Sequence, residues 1–129
     1  MKRFFLAAIR SLGVLVLAAV PTVVIASENC DLENGRSVFQ SCAVCHTNDD
    51  SGRHGAVGPN LNGVLNREVG SVSDYKFSSA LKKSDEKWTP EHLHAFLESP
   101  MDVYPLTRMA FGGLKNDKDR RDVICMLGE

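Results

Sequence analysis

The chain has 129 residues, 43% hydrophobic and 24% charged, with 15 basic and 16 acidic side chains and a formal net charge of −1. That length suits one small domain with a single core of modest extent. The balanced charge, with no concentration of basic residues, argues against nucleic acid as a partner, because phosphate binding calls for clustered positive charge.

Residues 1–26 read as a secretory signal peptide. Lys2 and Arg3 give the basic start, Leu12 to Val20 the apolar core, Pro21 the break and Ala26 the small cleavage position. An uncleaved membrane anchor is the competing reading. Ser11 to Ala26 supplies only 16 residues with a proline inside, whereas a spanning helix takes about 20. In both readings the remaining domain, 27–129, is exported, which suits a periplasmic location. Loss of Lys2, Arg3 and Arg10 leaves 12 basic against 16 acidic residues, a net charge of −4.

Leu32 to Ser41 fits a short amphipathic helix, with Leu32, Val38 and Phe39 apolar, Gly35 between them, and Glu33, Arg36 and Gln40 on other faces. It leads into Cys42-Ala43-Val44-Cys45-His46, the C-x-x-C-H signal for attachment of a c-type haem. Two thiols three positions apart lie on adjacent corners of one helical turn, so both can form thioethers to one haem. The histidine that follows then lies under the iron as a ligand. C-x-x-C by itself also serves zinc and dithiol sites.

Thr47 to Gly58 is a polar, glycine-rich loop, and 59–72 has no clear period. Tyr75 to Lys83 has room for about two helical turns. Thr89-Pro90-Glu91 is a strong helix start, with a hydroxyl cap, proline in the first position and an acid in the first turn. Leu93, Phe96 and Leu97 line one face before Pro100 ends that helix. Asn116 and Asp117 can cap a last helix with Val123, Ile124 and Leu127 buried and Arg120, Arg121 and Asp122 facing water. Strand signals are scarce, so the class is all-α with long loops.

From about Glu33 to Leu127 the chain resembles class I cytochrome c of the mitochondrial and soluble bacterial type. Gly35 and Phe39 resemble that family's first-helix pair, Gly58-Pro59-Asn60-Leu61 with Gly63 its GPNLxG stretch, and Tyr104-Pro105-Leu106-Thr107-Arg108-Met109-Ala110-Phe111 its ligand loop. The resemblance implies the cytochrome c fold around one haem c held covalently through Cys42 and Cys45, with His46 and Met109 as axial ligands. It implies that the Pro59 carbonyl receives the imidazole N–H, and that Arg67, Trp88 and Thr107 lie near or bond the haem carboxylates. Phe77 and Phe96 stand where the family commonly has tyrosines, and Met126 where it has an aromatic residue. The family's terminal helices cross, which brings Cys30 and Cys125 near each other. A disulfide there is the expectation for an exported protein, with a buried free thiol at Cys125 as the alternative.

The function expected is one-electron transport between redox protein partners by a periplasmic monomer, not an enzyme in its own right. Two other classes remain open at this level. One is a haem enzyme or gas sensor with an open sixth position, which requires Met109 not to bind. The other is a dithiol or zinc module built on Cys42 and Cys45. His54, His92 and His94 are expected to face solvent or bond loops. Arg108 and Lys115, flanking the ligand loop, are candidates for a docking patch.

Overall fold

The computed structural model describes residues 30–129, and the leader expected over 1–26 lies outside them. The described residues form five helices: α1 (Leu32–Ala43), α2 (Ser79–Lys82), α3 (Pro90–Glu98), α4 (Pro100–Val103) and α5 (Asp117–Leu127). They contain no strand beyond one antiparallel bridge, Glu68 to Lys87. None of these helices is long and apolar enough to cross a membrane.

Local chemistry starts each long helix. The Asp31 carboxylate caps α1 by accepting the Asn34 N–H at 3.0 Å. Thr89 caps α3 through the His92 N–H at 3.2 Å, with Pro90 in the first turn. Asn116 caps α5 through the Asp119 N–H at 3.2 Å. Helix α1 runs two residues past the expected end and so carries Cys42 within it.

Helices α1 and α5 cross at Gly35. A Cβ there would stand 2.9 Å from the Asp122 carbonyl carbon, so the close approach of the two backbones depends on glycine. Met126 packs against the same spot. Cys30 and Cys125 meet beside the crossing with Cα atoms 6.1 Å apart.

Arg120 and Asp122, expected to face water, are instead buried, at 4% and 2% exposure. The reason is that α5 is covered on more than its apolar stripe. Toward α1, the Asp122 carboxylate accepts from the Asp31 N–H at 3.2 Å and Asn34 Nδ2 at 2.7 Å, and within α5 from Lys118 Nζ at 2.6 Å. Toward α3, Arg120 donates to His94 Nε2 at 3.2 Å and pairs with Glu98, and nearer in sequence it donates to the Leu114 carbonyl at 2.6 Å and pairs with Asp117. Arg121 stays exposed and pairs with Asp117.

The segment 75–83 also departs from expectation, because only Ser79–Lys82 within it is helical. Ser78 caps α2 through the Leu81 N–H. Upstream, Tyr75 Oη donates to the Val57 carbonyl at 2.7 Å and the Tyr75 ring meets Phe77 edge-on, which holds the chain extended. Pro100 ends α3 as expected and also opens α4. Beneath these elements Trp88, Phe96, Tyr104 and Val123 join one buried cluster.

The bonded Lys118 ammonium, seconded by Asn34 and the Asp31 N–H, holds the Asp122 carboxyl below its usual range. A depressed folded-state pKa contributes stability at pH values above the unfolded one, about 3.9, and that contribution is lost as pH falls through the folded value. Asp122→Asn is therefore expected to lower the thermal midpoint at pH 7, with the gap to the native protein closing below about pH 4. A gap independent of pH would show that the carboxylate charge contributes nothing.

Candidate functional site

A cavity of about 360 Å³ opens between α1, the loops and the residues before α5. Its lining brings Met109 together with Cys42, Cys45 and His46, which lie more than 60 positions earlier in the chain. The cysteines reach it because α1 ends in a tight turn: the N–H groups of Cys45 and His46 both bond the Cys42 carbonyl, at 3.0 and 2.9 Å. Cys42 and Cys45 are unbridged, and burial pushes the Cys42 thiol up.

His46 is held from one side. Its Nδ1 donates to the Pro59 carbonyl at 2.8 Å, since a carbonyl can only accept. That bond leaves Nε2 with its lone pair, the state a metal-binding imidazole needs. Burial pushes the His46 pKa down and so favours the neutral ring, outweighing the opposite pull of the bond to Pro59. The Gly58 N–H bonds the Cys45 carbonyl at 2.9 Å and lays the loop flat against the ring. A Cβ on Gly58 would stand 2.6 Å from His46 Nδ1 and 2.8 Å from Nε2. Only glycine leaves room for the imidazole in this position.

Met109 enters the cavity from the loop before α5. Tyr104 accepts the Thr107 N–H at its carbonyl at 3.0 Å, and the Thr107 hydroxyl accepts the Met109 N–H at 3.4 Å. Downstream, the Leu114 N–H bonds the Leu97 carbonyl at 2.7 Å and Lys115 Nζ bonds the Glu98 carbonyl at 2.7 Å.

Arg67 and Trp88 line the same cavity and are joined by backbone, the Trp88 N–H bonding the Arg67 carbonyl at 2.9 Å. Arg67 spends two guanidinium nitrogens on the carbonyls of Asn62 and Asn60, at 3.0 and 3.2 Å. Its Nε is buried with no partner among the described residues. A buried donor of this kind calls for an acceptor. A haem carboxylate would meet that demand, and the paired thiols, the oriented imidazole and the thioether are the groups that could hold a c-type haem.

The three other histidines bond the protein. His54 accepts the Asn60 N–H at 3.3 Å, His92 donates to the Lys87 carbonyl at 3.0 Å, and His94 lies 2.9 Å from Asp117. Arg108 and Lys115 have their charged heads on the carbonyls of Lys76 and Glu98, so neither is a loose surface charge.

Two features were missed from sequence. Buried Asn60 donates to the carbonyls of Asp49 and Arg53, at 2.9 and 3.1 Å, and organises the loop outside the cavity. The Pro59-Asn60 turn pair was its signal. The other is the Tyr104 hydroxyl, within 2.9 Å of Ser84 Oγ and donating to Glu86 at 2.8 Å. No local pattern pairs Tyr104 with a carboxylate 18 positions upstream.

The model of the cytochrome c family matches residues 32–125. The chain belongs to the cytochrome c family. It is 42% identical to a cytochrome c of Stellaria longipes over 98 residues, covering 75% of this chain and 90% of that protein. A cytochrome c homolog of Rickettsia felis is 38% identical over 78% of this chain and 57% of its own length. Among solved structures, cytochrome cH from Methylobacterium extorquens superposes with a TM-score of 0.68 at 35% identity, over 75% of this chain and 96% of that one. The cofactor of this family is one covalently bound haem c, and the chain is a haem-containing electron carrier.

Gly58→Ala is expected to cost about 1–3 kcal/mol by crowding the imidazole, read as a lower midpoint in chemical denaturation of the haem protein. A midpoint equal to that of the unsubstituted protein would show that ring and loop separate freely.

Proposed function

We propose that this chain is a periplasmic one-electron carrier in which Cys42 and Cys45 hold the haem by two thioethers and His46 and Met109 supply its axial ligands. The observation that carries the reading is the convergence of these four side chains on one cavity, with the His46 ring fixed by the Pro59 carbonyl. When bound, the haem supplies an iron that alternates between the ferrous and ferric states.

Each residue then has a stated task. His46 presents Nε2, and its bond to Pro59 raises the basicity of that nitrogen. Met109 presents a thioether sulfur, which favours the ferrous state and raises the potential. With His46 and Met109 holding the iron from both sides, no position would be left for a substrate atom. The apolar walls, including Leu81, Phe96 and Leu97, exclude water, which disfavours the added positive charge of the ferric state. Arg67 offers its unpartnered Nε to a haem carboxylate, with Trp88 and Thr107 as further donors at the cavity. Partners are redox proteins that dock transiently through a small contact, and the carrier acts as a monomer.

In this reading the chain is exported, with cleavage after Ala26, and carries a bridge between Cys30 and Cys125. Their Cα separation of 6.1 Å lies within the span a disulfide allows. Closing a loop of 95 residues would stabilise the fold by about 4–5 kcal/mol in the chain-entropy picture.

Mass spectrometry of protein from the periplasm should give residues 27–129 plus one haem. The bare polypeptide mass would end the reading. Met109→Ala should keep its haem, lose the near-infrared band of ferric His/Met ligation and bind carbon monoxide or cyanide. An unchanged spectrum would assign the sixth ligand elsewhere. Alkylation of unreduced, denatured protein should leave Cys30 and Cys125 unlabelled. Labelling of both before reduction would rule the bridge out.

A further inference from the structure

Met109 sits on a loop whose two ends are secured differently. The end nearer α5 has several anchors. Leu114 is held by its N–H on Leu97 and by Arg120 on its carbonyl, and Lys115 bonds the Glu98 carbonyl. At the other end Pro105 is exposed, and Leu106 is 81% exposed with a left-handed φ of 65°. The grip there is shared by Arg108, whose guanidinium bonds the Lys76 carbonyl, and by Tyr104, which is 6% exposed.

The Tyr104 ring lies edge-on to Trp88 and Phe96, each with centroids 5.9 Å away. Its hydroxyl lies between Ser84 Oγ at 2.9 Å and Glu86 Oε2 at 2.8 Å. The receiving segment is itself fixed. The Val69 N–H bonds the Glu86 carbonyl at 3.0 Å, and Glu68 bridges Lys87. His92 Nε2 stands 3.7 Å from the same carboxylate. Thus one hydroxyl ties the strand-like segment bearing Trp88 to the start of the loop bearing Met109. From Tyr104 the constraint continues through its carbonyl to the Thr107 N–H, and from the Thr107 hydroxyl to the Met109 N–H.

We infer that the Tyr104 hydroxyl, clasped by Glu86 and Ser84, is a positioning group that keeps the Met109 loop closed over the cavity and so guards the sixth coordination site against outside ligands. The inference rests on Met109 being the sixth ligand, as proposed above. The physical ground is that an outside ligand can reach that site only when the loop swings away, and interactions broken in the open state raise the cost of opening. A hydroxyl donating to a carboxylate is among the stronger hydrogen bonds available to a side chain. Phenylalanine at 104 would keep the ring packing and remove only the clasp.

The test is titration of the ferric haem protein with imidazole, followed by loss of the near-infrared His/Met band, in parallel with thermal unfolding. Tyr104→Phe should bind imidazole about ten-fold more tightly, the change expected for losing one hydrogen bond to a charged group. Glu86→Ala should do the same. Glu86→Gln, which keeps an oxygen acceptor, should fall between it and the native protein. Glu86 is exposed at the surface, so its variants test the clasp even if Tyr104→Phe fails to fold. A native band with imidazole affinity unchanged in all the folded variants, whatever happens to thermal stability, would overturn the clasp alone. A native protein without the band would overturn the methionine assignment, and the clasp with it.

Discussion

The close crossing of α1 and α5 at Gly35 is the constraint on which the rest depends. With no Cβ between them, the two backbones come near enough for Met126 to pack on α1 and for Asp122 to accept from Asp31 and Asn34. That junction fixes the axis of α1. The last turn of α1 carries Cys42, and the turn that follows delivers Cys45 and His46. The direction in which the cysteines and the imidazole point is therefore set at the far end of their helix. Much of the chain between the two helices is loop, with α3 packed on α5, and its task is to form walls rather than to hold the ends together.

Those walls work through backbone polar groups used as fixed points. The Pro59 carbonyl orients His46, the Gly58 N–H pins the same loop to Cys45, and the Asn60 and Asn62 carbonyls hold two nitrogens of Arg67. Such points do not depend on rotamers, so a small domain can keep a binding cavity rigid with few side chains. The one orphaned nitrogen in this set, Arg67 Nε, marks where the protein's own acceptors end.

Much of this was legible in the sequence. C-x-x-C-H, the cap at Thr89-Pro90-Glu91 and the stripes on α3 and α5 each state their purpose within a few residues, because a cap or a helical face is a local matter. Three features were not legible, for one shared reason. Arg120 and Asp122 look like solvated charges until α3 and α1 are placed beside them. The stretch from Tyr75 to Phe77 has helical spacing but is drawn straight by the Val57 carbonyl, 18 positions earlier. Tyr104 gains its carboxylate from a segment that also lies outside any local window. Polar contacts between distant segments overrule propensity there, and no periodicity records them.

The bonds that tie α1 to α5 link residues 85 to 91 positions apart. At 12 and 11 residues, these helices are also short for helices that would persist alone in water. Neither gains much until the other is in place, and closing so long a loop must come first. Formation and loss of the two should be a single cooperative event rather than a stepwise one. Proteolytic trimming of the final turns of α5 would therefore loosen more than the C-terminus. It would release the helix that aims the two thiols and the imidazole, more than 80 positions earlier in the chain.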